Sequence, residues 1–307
     1  MSVPVTIVIR AGRARAELES ALVALLGELE WRAAGDEVLL LDASGTGELG
    51  AWAAARFPPP ATFERASCEL RTLELACGSG AAEALRAGVS EATHALVFLM
   101  APGLHVRAGF LEPLCAALED ARVFAAVPFL RGGESAVEPH WRAGDLGCAP
   151  AAAAAGELDF LSCAAALLRR DELLARGFDP LFEAGAWLAR DLGWRARRDG
   201  RTLVRVAGSS VELRPAGPNE TPLEDARARL LFTWKHLDEE ELWREHLAAL
   251  LERTLRAAEQ EGRAELVGLA LALEELPALA RSRSAGAGRL PFRALLARRA
   301  EGHERDA

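Results

Sequence analysis

The feature that most constrains this fold is the alternation of short apolar runs with helical patterns over the first two hundred residues. The runs predicted to be strands lie at 5–9, 37–42, 71–76, 95–100, 122–129, 158–168 and 202–206. Helical patterns separate them; in the first, leucines recur along one stripe from Leu18 to Leu29. Repeated strand–helix–strand units require parallel strands, right-handed crossovers and helices on both faces. The sequence therefore predicts an α/β fold with a mostly parallel, Rossmann-like sheet.

This pattern changes near 214–222, where the Gly/Pro-rich segment RPAGPNETP marks a boundary. Helices are predicted beyond it at 223–236, 238–260 and 262–280. The apolar positions of these helices need a surface to pack against. These positions are Leu230, Leu231, Trp234, Leu247, Leu250 and Leu251. We expect a sheet domain at 1–215, a helical extension packed on it at 216–280, and a loose arginine-rich tail at 281–307.

Charge and cysteine content narrow the class of protein. A net charge of −9 argues against a nucleic-acid partner, because such binding depends on neutralising phosphates. The five cysteines show no metal-binding spacing, which favours reduced, mostly buried thiols. The first residues form an apolar strand pattern without the basic region of a signal peptide, and the late apolar stretch is too short to span a bilayer. These features predict a cytoplasmic protein without a transmembrane segment.

The strand at 95–100 ends in Ala101-Pro102-Gly103, an exit turn that carries no charge. Ligands of α/β proteins bind at the carboxyl ends of such strands. An enzyme that handles phosphates through a metal needs a carboxylate there. The nearest side chain able to bind a metal or a phosphate is His105; the alternative, which is more common for a lone histidine, is a polar surface residue. The sequence therefore predicts an exit turn that offers no carboxylate to a metal.

Several segments, taken in order, resemble the family-2 glycosyltransferases, the GT-A-fold enzymes that use nucleotide-activated sugars. They are VPVTIVIRAG at 3–12, EVLLLDASGTGEL at 37–49, GSGAAEALRAGVSEATHALVFL at 78–99, and LDFLSCAAALLRRDELLARGFDPLFE at 158–183. The resemblance covers about residues 1–280. It implies a GT-A fold and a nucleotide-sugar donor bound near Ile9, Arg10, Asp42, Ser44, Gly80, Ala101, Gly103 and His105.

Two departures from the family decide the expected activity. The resemblance places the metal-binding aspartate of the family at Gly103, so the magnesium or manganese that the family uses lacks its ligand here. It places the acidic pair that includes the catalytic base at Leu188-Ala189. Glu183 and Asp191 are the remaining candidates for a general base. The alternative for each is an acid in the first turn of a helix, where it stabilises the helix dipole.

The binding candidates also have structural alternatives. Asp42 either bonds a nucleobase or ribose, or caps its turn. Arg10, Arg13 and Arg15 either face a diphosphate or lie in a solvated loop. Gly80 either opens an anion-binding helix N-terminus or makes a turn. The six arginines of 281–299 either contact an anionic membrane peripherally or are solvated.

Two functions remain open from the sequence. One is nucleotide-sugar-dependent glycosyl transfer that is weak or lost, because both the metal ligand and the base are missing. The other is a non-catalytic protein on this fold that binds a nucleotide, a glycan or an active glycosyltransferase partner. An unrelated doubly wound nucleotide enzyme is disfavoured, since the first strand–helix turn has no GxGxxG pattern.

Overall fold

The computed structural model describes residues 2–11, 15–32, 34–58, 68–132, 137–150, 154–162, 164–182, 186–213, 221–259, 263–283 and 290–297. The strands are β1 (Val5–Arg10), β2 (Asp36–Asp42), β3 (Cys68–Glu74), β4 (Leu96–Met100), β5 (Leu104–Val106), β6 (Val123–Arg131), β7 (Val137–Arg142), β8 (Asp145–Pro150), β9 (Gly156–Glu157), β10 (Ala165–Arg169) and β11 (Thr202–Leu213). The strand expected at 158–168 is thus shorter than predicted and forms only from Ala165.

Helices alternate with these strands and then continue without them. They are α1 (Arg15–Arg32), α2 (Glu48–Arg56), α3 (Ala81–Glu91), α4 (Leu111–Ala117), α5 (Arg170–Arg176), α6 (Ala186–Arg198), α7 (Pro222–His236), α8 (Glu240–Glu259), α9 (Arg263–Glu274), α10 (Leu276–Arg283) and α11 (Phe292–Ala297). None of the helices that the structure describes is long and apolar enough to cross a bilayer.

The main sheet has the order β3-β2-β1-β4-β10-β6-β11-β5, with β9 paired to β11. Six strands, β1 to β4, β6 and β11, run in one direction, which confirms the mostly parallel sheet. β10 runs against both of its neighbours. It starts beside Met100, at the edge where the parallel strands end, and runs back from there. β4 lies inside the sheet between β1 and β10, as predicted.

Alternate side chains of the strands enter two apolar layers, one on each face of the sheet. Val8 of β1 joins the layer under α3 and α6, while Ile7 and Ile9 join the layer under α1 and α4. The predicted stripe from Leu18 to Leu29 is buried in the second layer. This confirms helices on both faces.

Helix α3 lies unusually close to the sheet at Gly88. A Cβ atom there would lie 2.8 Å from Leu41 Cδ2 and 2.9 Å from Val8 Cγ1. The glycine therefore allows α3 to pack closely on β1 and β2.

Two local predictions are corrected by the structure. The Gly/Ala-rich composition of 131–156 predicts a loop, but the segment contains the β7–β8 hairpin, whose turn residues Ala143 and Gly144 have φ values of 50° and 75°. Two consecutive positive φ values are typical of a tight hairpin turn, but Ala-Gly is a weaker sequence signal for it than Asn-Gly. The helix expected at 262–280 is two helices, α9 and α10, because Pro277 cannot continue the hydrogen-bond ladder.

The cysteines are less buried than expected. The four that the structure describes form no disulfide with one another, and Cys77 and Cys148 are exposed. The expectation fails at these two positions because they lie in a loop and on the outer face of a hairpin strand.

The helical extension packs on the sheet domain through α7, which contacts α6, α9 and α10. Leu230, Leu231 and Trp234 are buried as predicted, whereas Leu247 and Leu251 on α8 are exposed. The sequence periodicity of α8 predicts that these two leucines lie on one helix face. It does not predict whether another element covers that face.

The last described helix, α11, is packed where a loose tail is expected. Phe292 and Leu295 are buried, and the Phe292 ring lies 5.3 Å from Trp194 and 5.7 Å from Trp141, centroid to centroid. Aromatic residues in this position contribute substantial buried area. The domain bounds 1–215, 216–280 and 281–307 stay predictions.

Candidate functional site

The carboxyl ends of β1, β2 and β4 meet at one edge of the sheet. Arg10 pairs with Leu41, and Ile9 pairs with Met100. Asp42 follows Leu41 directly, and Ala101 follows Met100. Four of the residues predicted to bind a nucleotide sugar therefore share this edge.

Asp42 is a buried carboxylate that is only half satisfied. It is 4% exposed; Oδ1 accepts a hydrogen bond of 2.9 Å from the Ser44 backbone N–H, and Oδ2 is buried without a hydrogen-bond partner. Burial acts to raise the pKa of Asp42, but hydrogen bonds from Ser44 and from the Leu49 backbone, together with the charge of Arg15, outweigh it and lower that pKa below its ordinary value. The ionised side chain caps its turn through one oxygen and leaves the other as an acceptor.

Arg15, at the start of α1, carries a matching unsatisfied donor. Its guanidinium lies 5.6 Å from the centroid of the Trp52 ring, and its buried Nη1 has no hydrogen-bond partner. This unpaired donor and the unpaired acceptor of Asp42 lie in one neighbourhood, where a bound polar group would satisfy both. Of the neighbouring arginines, Arg10 is exposed and Arg13 lies outside the described residues.

Trp52 was not predicted as a site residue. Its helix α2 follows the Asp42 turn, and only the fold brings that helix beside the start of α1. A tryptophan in an apolar helical stripe gives no sequence signal that distinguishes core packing from ligand contact.

The loop that leads into α3 lies against the Asp42 turn. The backbone N–H of Leu75 donates to the Asp42 carbonyl at 2.8 Å, and that of Gly78 donates to the Ala43 carbonyl at 3.2 Å. Gly80 then caps α3 without a side-chain hydrogen bond. These bonds hold the loop before Gly80 against the Asp42 turn. Ser44 is exposed, and its hydroxyl forms a hydrogen bond of 2.9 Å with the Thr46 hydroxyl.

The uncharged exit turn of β4 keeps a regular geometry. The Leu104 N–H donates to the Ala101 carbonyl at 3.0 Å, which closes the turn, and the Ala101 N–H donates to Ala164 at 2.8 Å. Gly103 is buried in this turn. His105 lies on β5 opposite Glu212 of β11.

The donors at this turn do not fit a magnesium or manganese ion. Ala101, Pro102 and Gly103 offer only carbonyl oxygens, and His105 offers one imidazole, whereas these hard cations prefer charged oxygen ligands. Across the described ranges, no group of three or more His, Cys, Asp or Glu side chains could hold a metal ion. Metal independence stays a prediction.

Asp191 does not have the surroundings of a general base. It is fully buried on α6; Oδ2 accepts from Arg195 at 2.8 Å, and Oδ1 bonds Lys235 Nζ at 2.6 Å and His236 Nε2 at 2.8 Å. Burial acts to raise its pKa, but the charges of Lys235 and Arg195 outweigh this and hold the pKa well below its usual range. An acceptor hydroxyl has no access to it, so the geometry favours a structural role instead of the predicted catalytic one.

The partners of Asp191 could not be assigned from sequence, because Lys235 and His236 lie more than forty positions away on α7. Burial lowers the pKa of His236 to about 4, so it is neutral at pH 7 and its Nε2–H donates to Asp191. Glu183, the other predicted base, lies outside the described residues.

The positions at which the resemblance places the catalytic acids are packed into the apolar core. Leu188 and Ala189 are 2% and 1% exposed. The neighbouring Trp187 ring lies 5.2 Å from Phe232, and Phe160 lies 5.6 Å from the same ring. The start of α6 is therefore an aromatic cluster and not an open acceptor site.

A separate cleft of about 1060 Å³ opens at the opposite edge of the sheet, between α5, α6, α7 and α10. α5 follows Arg169, which pairs with the first residue of β4. The cleft is lined by six basic and four acidic side chains, and several pair across it, such as Arg227 with Glu275 at 3.0 Å. It contains none of the predicted nucleotide-binding residues.

No protein-family model matches this sequence, and no curated protein matches it either. Solved structures do match. GalNAc-T7 with UDP, GalNAc and Mn²⁺ has 13% identity and a TM-score of 0.59 over 77% of this chain. The mannosyltransferase PcManGT from Pyrobaculum calidifontis, in complex with GDP-Man and Mn²⁺, has 19% identity and a TM-score of 0.55 over 98% of this chain and 81% of its own.

A third match is S. aureus TarS 1–349 in complex with UDP-GlcNAc, with 13% identity and a TM-score of 0.51 over 91% of this chain and 79% of that one. This chain spans about half the length of the GalNAc-T7 chain, 48%. At these identities the likeness establishes the fold, which is the GT-A glycosyltransferase fold that the sequence predicts.

Proposed function

We propose that this chain binds a nucleotide or nucleotide sugar at the carboxyl edge of its sheet and transfers sugar weakly or not at all. The observation that carries the proposal is the unpaired, buried Oδ2 of ionised Asp42. It lies at the strand ends where ligands of α/β sheets bind. The matched structures hold UDP, GDP-Man and UDP-GlcNAc, which supports a nucleotide as the class of ligand.

The hydrogen-bonding chemistry of Asp42 and Arg15 suits a nucleoside. A buried polar group without a partner costs about 1–3 kcal/mol, which a ligand recovers when it supplies that partner. A ribose hydroxyl or a nucleobase N–H donates to Asp42, and a base carbonyl or a phosphate oxygen accepts from Arg15. Both groups occur within one nucleotide.

The positions that would carry out catalysis lack the groups needed for fast sugar transfer. A metal on the leaving diphosphate contributes several kcal/mol to the transition state. A general base contributes about 10²–10⁴ in rate, or roughly 3–5 kcal/mol. Gly103 provides no metal ligand, Leu188 and Ala189 provide no base, and Asp191 is held by its ion pairs.

A non-catalytic role is the second candidate, in which the same fold binds a nucleotide, a glycan or an active glycosyltransferase. The filled aromatic cluster at the start of α6 favours it, because this cluster leaves the base positions without access to an acceptor.

Peripheral membrane contact through 281–299 has less support. The Arg283 guanidinium donates to the Leu237 carbonyl and lies 5.4 Å from the Trp243 ring, and Arg293 pairs with Glu239 at 3.5 Å. These contacts hold two of the six arginines against the protein. Liposome flotation with anionic vesicles tests whether this segment binds a membrane.

The deciding experiment is calorimetry of the full chain with UDP, GDP, CDP and ADP, first in EDTA and then in millimolar manganese. We expect at least one nucleotide to bind in EDTA, with an affinity that manganese leaves unchanged. Release of free sugar from UDP- and GDP-sugars is expected to show no manganese stimulation. Metal-stimulated hydrolysis or transfer would contradict the proposal, and failure of all four nucleotides to bind would leave only the glycan- or partner-binding alternative.

A further inference from the structure

Two arginines of the helical extension share one carboxylate. Arg229 of α7 and Arg253 of α8 both donate through Nη1 to Oδ2 of Asp145 on β8, the first of them at 3.3 Å. Each guanidinium has five N–H donors, so both arginines keep further donors for other acceptors. Two positive charges thus meet one negative charge where α7, α8 and the β7–β8 hairpin come together.

Three N–H groups of these arginines are buried and have no hydrogen-bond partner. They are Nε of Arg229 and both Nε and Nη2 of Arg253. The Nε–H and Nη2–H bonds of one guanidinium point in the same direction and form the fork with which arginine holds an anion. An acceptor placed at this fork would satisfy two buried donors at once.

Both arginines line one small cavity between α7, α8 and α9. Its volume is about 20 Å³. A cavity needs about 10–15 Å³ to hold one water molecule, so this one admits a single particle of that size or a little larger. Phosphate and larger ligands are excluded by size. The apolar side chains that complete most of the wall are Ala226, Leu230, Leu250, Leu266 and Leu269.

We propose that this cavity binds a small inorganic monoanion of the size of chloride, held by the fork of Arg253 and by Nε of Arg229. An anion accepts hydrogen bonds and donates none. A water molecule would accept from the arginines, but its own two hydrogens would face a largely apolar wall. The Thr254 hydroxyl, which also lines the cavity, already donates to the Leu250 carbonyl at 2.7 Å.

The local charge balance favours an anion. Arg229 and Arg253 carry two positive charges, and Asp145 carries one negative charge. Glu265 also lines the cavity, but it is exposed, and among the described ion pairs none joins it to either arginine. Because solvent and salt screen an exposed carboxylate, the buried donors stay in a net positive environment.

A bound anion would connect α7 to α8 and stabilise the packing of the helical extension. The unfolded chain has no such site, so the stability of the fold should rise with the concentration of the anion. The proposal is independent of nucleotide binding, because neither arginine contributes to the carboxyl edge of the sheet.

The test compares urea denaturation of the full chain in sodium chloride and in sodium gluconate, whose anion is too large for the cavity. At about 0.3 M salt the folding equilibrium constant should be about fivefold greater in chloride, as for a dissociation constant of roughly 75 mM. Arg253→Lys keeps a positive charge but removes the fork, so it should lose the difference between the salts. Arg244→Lys, at a 78% exposed arginine of the same helix, is the matched control and should keep it.

Glu265→Gln tests the competing arrangement, in which the Glu265 carboxylate turns inward and occupies the fork. Under the proposal this variant keeps the chloride effect or increases it. If Glu265 is the partner of the fork, wild type shows no chloride effect and the variant acquires one, which would contradict the proposal.

Crystals of the full chain soaked in sodium bromide locate the anion directly. We expect an anomalous peak at hydrogen-bonding distance from Arg253 Nε and Nη2. A soak without this peak, or a chloride effect that survives Arg253→Lys, would overturn the proposal. A bromide peak without any chloride-dependent stability would indicate an adventitious ion only and would overturn it as well.

Discussion

Asp42 and Asp191 are both buried, ionised carboxylates, yet their surroundings are opposite. Asp191 has Arg195, Lys235 and His236 on its two oxygens and no access to solvent. Asp42 accepts a hydrogen bond from its own turn through Oδ1, and its Oδ2 is unpaired. The sequence marked both as functional acids. Partners brought by distant segments therefore decide whether a buried acid is held by ion pairs, as Asp191 is, or keeps an unpaired oxygen, as Asp42 does.

The largest difference is expected in stability. Asp191→Asn removes the counter-charge of buried Lys235 and Arg195, and breaking a buried ion pair costs about 3–5 kcal/mol of the free energy of unfolding. Asp42→Asn removes no ion pair and should cost less than about 1 kcal/mol. Urea denaturation measures both, and equal losses would erase the distinction between the two acids.

The surroundings of Asp191 also predict a pH dependence. His236 has an ordinary pKa of 6.5 and a folded pKa of about 4. Between these values the unfolded chain binds a proton that the folded chain does not, so stability falls as the pH decreases from 6.5 to 4. The full effect is about 3 kcal/mol at 1.36 kcal/mol per pKa unit.

His236→Gln keeps a donor for Asp191 and removes this titration. Denaturation of the variant at pH 7, 5.5 and 4.5 should show a smaller loss of stability than wild type. An identical pH profile would mean that His236 is not held neutral in the folded chain.

The Asp42 side of the comparison predicts a loss of binding with little loss of stability. Asp42→Asn should weaken nucleotide binding in EDTA about tenfold, because a hydrogen bond to a charged acceptor is lost. Glu74→Gln is the matched control: Glu74 is exposed and pairs in register with Asp42 on the neighbouring strand. Equal weakening by both variants, measured by calorimetry, would indicate general charge effects at this edge.

The smallest effect is expected from restoring the metal ligand. Gly103→Asp should make nucleotide binding a few-fold tighter with manganese, while Gly103→Asn, of the same shape without charge, should not. Neither variant should transfer sugar, since Leu188 and Ala189 still lack a base. Manganese that acts equally on both variants would show that no cation site forms at this turn.

Much of the fold could be predicted because local patterns specify it. The apolar run 95–100 and the turn at Pro102-Gly103 gave a central strand and its exit correctly. The pairing of Asp191 with Lys235 depends on how α6 and α7 pack, which no local pattern contains. For the same reason the leucines of α8 were expected to be covered, since helical periodicity defines a face but not its partner.

Nucleotide binding at Asp42 is tested most directly by a crystal structure of this chain soaked with UDP or GDP in EDTA. We expect density for the nucleoside at the carboxyl edge, with a ribose hydroxyl or base N–H within hydrogen-bonding distance of Asp42 Oδ2, and an unchanged Asp191 network. Density only in the cleft between α5 and α10, or a nucleoside at the edge whose polar atoms avoid Asp42, would contradict it.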